Sequence, residues 1–61
     1  MKKGFKFNYT LKVVLNGKHI SRNFMIYEKA EQELLYYKNC TNARLGMIFR
    51  KDNSIAAFFI I

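Results

Sequence analysis

The dipeptide Asn16-Gly17 limits what this chain can fold into more than any other feature. It sits between two stretches rich in β-branched and aromatic residues, and both residues tolerate the positive φ that a two-residue type I′ hairpin turn demands. That turn fixes a register: Val13 opposite Ile20, Leu11 opposite Arg22, Tyr9 opposite Phe24 and Phe7 opposite Ile26. The other face then takes Lys6, Asn8, Thr10, Lys12 and Val14 against Tyr27, Met25, Asn23, Ser21 and His19. Apolar and polar side chains separate almost cleanly, as a hairpin with one buried face requires. Arg22 is the exception. On a core face it either snorkels at the sheet margin, pairs with a helix glutamate, or reaches a ligand.

The next segment, YEKAEQELLYYKNC, changes period. Tyr27, Ala30, Leu34 and Tyr37 fall on one helical stripe. Glu28 and Glu31 in the first turn and Lys38 in the last suit the helix dipole. Asn39 and Asn42 are the expected terminators. Tyr27 and Tyr37 are expected in the core, and Tyr36 on the exposed side.

A second hairpin is expected around Asp52-Asn53. Its register gives one entirely apolar face, Leu45/Ile60, Met47/Phe58 and Phe49/Ala56. The other carries Arg44/Ile61, Gly46/Phe59, Ile48/Ala57 and Arg50/Ile55. Four strands and one helix of order β-β-α-β-β make a two-layer α+β domain over residues 1–61, with one antiparallel four-stranded sheet. A single helix covers one face only. The all-apolar face is the expected core. Ile48, Ile55, Ala57, Phe59 and Ile61, rimmed by Arg44 and Arg50, are then left uncovered, and such a patch marks an interface. A second copy across a two-fold axis is its simplest cover, so a homodimer is expected.

Sixty-one residues sit near the lower limit for a self-sufficient core, where disulfides, a metal or a partner chain usually help. One cysteine, Cys40, and one histidine, His19, cannot build a disulfide or a zinc cluster within the chain, which leaves oligomerisation. No metal and no cofactor is expected. The N-terminal stretch alternates Lys and Asn with aromatics and has no continuous apolar run of signal-peptide length. The seven apolar residues of IAAFFII are too few to span a bilayer as a helix. With a lone thiol, this points to the cytoplasm and away from membranes.

The formal net charge is +7. Three of the four acids lie in the helical segment, so the hairpins are strongly basic. A two-stranded ribbon bearing Lys6, Asn8, Lys12, Lys18, His19 and Arg22 could meet a DNA groove or an RNA backbone. Solvated lysines in a lysine-rich proteome would look the same. Phe, Tyr, Met, Ile, Asn and Lys make up more than half of the chain, and proline is absent. These residues have AT-rich codons, so part of the positive charge follows from the genome rather than from a ligand.

Catalysis finds little support. His19 is the one candidate general base, and the glycine-serine-histidine context of small ribonuclease toxins is missing. Cys40 has no second histidine to activate it. In size and composition the whole chain resembles the small accessory proteins with which phages of low-GC Gram-positive bacteria disable host factors. That resemblance implies a non-enzymatic homodimer that inhibits a host defence or nucleic-acid-processing protein by direct contact, with Tyr36, the first-hairpin face and the arginine rim as contacts. The alternative is a dimeric basic β-ribbon that binds DNA or RNA.

Overall fold

Asn16 and Gly17 both adopt left-handed backbone, with φ of 53° and 79°. The hairpin they close has the register their turn type dictates. In the computed structural model, which describes residues 7–61, strand β1 (Tyr9–Leu15) pairs with β2 (Lys18–Phe24), Val13 opposite Ile20 and Leu11 opposite Arg22. Beyond the strand ends the Asn8 amide nitrogen donates to the Met25 carbonyl over 3.1 Å, extending the pairing by a side chain. Helix α1 (Tyr27–Cys40) follows, then β3 (Leu45–Arg50) and β4 (Ile55–Ile60). The fold is α+β in the order β-β-α-β-β.

The helix forms where its apolar stripe lies. Ala30 and Leu34 are buried, and Tyr27 and Tyr37 pack at the edge of the same cluster. No described side chain caps its N-terminus at Ile26. Its other end is closed by Thr41 rather than by Asn39 or Asn42. The Thr41 hydroxyl donates to the Tyr37 carbonyl and accepts from the Ala43 amide over 3.1 Å. Ala43 is thereby drawn into the core, and the chain turns directly into β3.

The sheet order is β2-β1-β3-β4, all antiparallel. Strand β3 crosses behind the helix to lie against β1, with Leu11 opposite Ile48 and Val13 opposite Gly46. This pairing decides the faces of the second hairpin. Residues directly opposite one another in adjacent strands share a face. Leu11 and Val13 point at the helix, so Ile48 and Gly46 do too, and so do their β4 partners Ala57 and Phe59. The buried cluster is Leu11, Val13, Ala30, Leu34, Ala43, Ile48 and Phe59.

The expected orientation of the second hairpin is therefore reversed. Ile48, Ala57 and Phe59 belong beneath the helix, not to an uncovered interface, with Ile48 fully buried and Phe59 only 6 % exposed. Leu45, Met47, Phe49, Phe58 and Ile60 face away. Both faces of this hairpin are apolar, so alternation alone could not choose between them. Gly46 made the choice. A Cβ there would overlap the Phe59 ring and lie 2.9 Å from Cδ1 of Leu34, so the glycine lets ring, helix and strand close on one another.

The second turn also departs from the expected two-residue form. Arg50 donates its amide to the Ser54 carbonyl over 2.7 Å, and Asn53 takes a φ of 71°. A bulge follows: Ala56 is the extra residue between the pairs Ile48↔Ala57 and Phe49↔Ile55. It turns both Ala56 and Ala57 toward the core and returns Ile55 to the outer face beside Phe49.

Candidate functional site

The outer face of the sheet is uncovered by any described residue, and its composition is graded. Three cross-strand rows run from β4 to β2: Ile60, Leu45, Val14, His19; then Phe58, Met47, Lys12, Ser21; then Ile55, Phe49, Thr10, Asn23. Each row begins apolar and ends polar. Phe58 and Ile60 are 59 % and 69 % exposed, high values for side chains of that size. Toward β2 the polar groups satisfy one another, with Thr10 Oγ1 bonded to Asn23 Oδ1 at 3.0 Å.

The short side chains of Val14 and Ser21 sit among taller neighbours and leave an open hollow of about 410 Å³, walled by Lys12, His19, Leu45, Met47 and Phe49. Lys12 carries its ammonium 5.6 Å from the centroid of the Phe49 ring. It is the single fully charged side chain in the three rows. A favourable cation–π contact holds it across the boundary between the apolar and polar halves.

The other cations named from the sequence do not join Lys12. Arg22 lies on the helix side of β2, where its guanidinium donates to Glu33 over 2.7 Å and stacks 5.6 Å from the Phe24 ring. The helix-glutamate pairing is thus the outcome for this residue. Lys18 is at the first turn. Arg50 folds over the second turn, donating to Ser54 Oγ at 3.2 Å and to the Ile55 carbonyl at 2.9 Å. Arg44 precedes β3, and its carbonyl accepts the Ile61 amide at 2.9 Å. Lys6 lies outside the described residues. Among the described residues, the cations expected to line one ribbon face therefore point to different sides of the molecule. Of the expected interface set, Ile55 is on the outer face, while Ile61 is exposed just beyond β4 beside Arg44.

Tyr36 is exposed on the helix, edge-on to Tyr37 with ring centroids 5.5 Å apart. With Arg22, Phe24 and Lys29 these rings border a shallow groove between α1 and β2. The groove is already bridged by the Arg22–Glu33 pair.

Among the described residues two ionisable groups are shifted, and both shifts have structural causes. Partial desolvation, helped by the charge of Glu31 and a long 3.4 Å hydrogen bond to it, raises Tyr27 above its ordinary value. Asp52 is lowered because its Oδ1 accepts from the Ser54 hydroxyl at 2.6 Å and from the Ser54 amide at 3.0 Å. Among the described residues no helix is long and apolar enough to cross a membrane, and no three metal-ligating side chains cluster.

The residues that make the outer face, Leu45, Met47, Phe49, Phe58 and Ile60, are those that patterning placed in the core. One signal in the sequence pointed the other way. A glycine opposite a phenylalanine in one hairpin, Gly46 and Phe59, marks a strand approached closely by its neighbours. No family model, curated protein or solved structure matches the chain.

Proposed function

We propose that this chain is a small protein-binding module, a homodimer that acts by contact and occlusion rather than by catalysis, with the outer sheet face as its working surface. The observation that carries this reading is the graded outer face, where exposed Phe58, Ile60 and Ile55 run through Met47 and Phe49 to uncharged polar groups, with Lys12 as the one formal charge among its described residues. Aromatic and methionine side chains with few charges are the composition of the desolvated centre of a protein interface. A phosphate-binding surface would gather cations, and those of the described residues are dispersed or engaged elsewhere. The AT-rich composition supports a partner in a low-GC Gram-positive host, in keeping with the accessory proteins of phages.

The test is capture from such a lysate with tagged chain, with and without nuclease, beside the outer-face variant Met47→Asp. One protein retained near stoichiometry after nuclease, and lost with Met47→Asp, supports the reading. Nucleic acid in the catch, or proteins that leave with nuclease, overturns it.

A second reading has one observation in its favour. Lys12 against Phe49 on an open sheet is a pairing that could stack a base and hold its phosphate. It predicts binding that weakens steeply with salt.

A further inference from the structure

Deepening the homodimer part of that reading, we infer that two copies join edge to edge through β4, pairing antiparallel about a two-fold axis at Phe59, so that two sheets become one with a continuous outer face. In the order β2-β1-β3-β4, strand β4 is an edge, and no described residue pairs with its outer side. The ladder phase shows which groups are left over. Ile61 donates inward to Arg44, so Ile61, Phe59 and Ala57 bond toward β3. The N–H and C=O of Phe58 and Ile60 then point to the open edge, as antiparallel alternation requires.

Edge strands are normally guarded by charge, proline or a bulge. The segment IAAFFI has no charge and no proline, and its one bulge, at Ala56, lies near the turn and leaves Ala57–Ile60 regular. The opposite edge, β2, reads KHISRNF. Self-pairing there would bring Lys18 and Arg22 of two basic chains together, whereas pairing at β4 opposes no charges. The positive charge of the chain therefore selects the edge.

With Phe59 at the axis, Phe58 of one copy faces Ile60 of the other on the outer surface, and the reverse. Each pair exchanges both N–H···O bonds and sets an aromatic ring against a β-branched side chain. The apolar halves of the two outer faces then abut, and the charged β2 edges lie farthest apart. Assembly closes at two because an isologous contact uses up its own surface.

Sedimentation of the full chain across concentration tests this with two variants. Ile60→Pro removes an outward donor without breaking a bond to β3, and should raise the dimer dissociation constant at least about thirtyfold. Met47→Asp, on the face and away from the edge, should leave dimerisation within about threefold. In a Cys40→Ser background, mixing Phe58→Cys with Ile60→Cys should give a disulfide-linked heterodimer under mild oxidation, and neither variant alone should link comparably. A dimer that survives Ile60→Pro but is lost in Met47→Asp would place the contact on the sheet face and overturn the edge pairing. A wild-type chain that stays monomeric at millimolar concentration would overturn dimerisation altogether. Neither result touches capture of a partner by the monomer's outer face.

Discussion

The ring of Phe59 lies directly over Gly46, its cross-strand partner, with Leu34 of the helix closing the third side. This contact orients the second hairpin. Gly46→Ala would force the ring and the helix apart. Overpacking of this kind costs about 1–3 kcal/mol. Urea unfolding followed by circular dichroism should show that loss, and an unchanged midpoint would mean the ring does not sit where the fold places it.

Phe58 and Phe59 are neighbours on opposite faces, and they should respond to truncation very differently. Phe59→Ala removes the one aromatic ring in the buried cluster of the described residues and should cost about 3–5 kcal/mol. That approaches the whole stability of a chain this short, at about 0.05–0.15 kcal/mol per residue. Phe58→Ala, measured at concentrations where the chain is monomeric, should cost less than about 1 kcal/mol. Equal effects would contradict the assignment of faces.

Thr41 satisfies a helix carbonyl and a buried loop amide with one hydroxyl. Thr41→Val keeps the shape and removes both bonds, leaving the Ala43 N–H without a partner. The expected loss is about 1–3 kcal/mol. Amide exchange at Ala43 should accelerate along with it, and a protected Ala43 amide in the variant would show that the hydroxyl is not the acceptor.

The Arg22–Glu33 pair is short but half open to solvent on the arginine side. Exposed pairs of this kind contribute about 0–1 kcal/mol. Glu33→Gln should therefore destabilise slightly at low ionic strength and not measurably in 1 M salt, where the screening length is about 3 Å. A large effect that persists in high salt would show the pair to be shielded from solvent.

Asp52 anchors the second turn by accepting two bonds from Ser54, one from its hydroxyl and one from its amide. Its carboxyl is held below the ordinary value of about 3.9. Its contribution to stability is thus present above that value and disappears as pH falls through the lower folded-state value. Asp52→Asn can still accept from Ser54 but does not titrate. Urea midpoints taken from pH 5 to about pH 2 should fall less steeply for the variant than for the parent. Parallel curves would show that the turn does not sense this carboxyl.

The first hairpin was legible because one dipeptide set its turn and its two faces differ in polarity. The helix was legible through Tyr27, Ala30, Leu34 and Tyr37, a stripe that only a 3.6-residue period brings together. Its end was not, because a threonine hydroxyl stopped it where asparagines were expected. The second hairpin's position and most of its register could be read, but not its orientation. The sequence places Leu45, Met47, Phe49, Phe58 and Ile60 on one face and Gly46, Ile48, Ala57 and Phe59 on the other, and the larger set looks more like a core.

By itself, the sequence determined the elements, their order and, outside the bulge that exchanges the faces of Ile55 and Ala56, which side chains share a face, because turn chemistry and periodicity are local. Tertiary structure decided which face of the second hairpin is buried and which cations stand together. Strand β3 pairs with β1, a contact between residues far apart in the chain, and that pairing aligns Ile48 and Gly46 with Leu11 and Val13. On that face Gly46 makes room for the Phe59 ring beneath Leu34, and the set Leu45, Met47, Phe49, Phe58 and Ile60 is turned outward. The exposed apolar face follows from that long-range pairing, because one helix covers one side of the sheet.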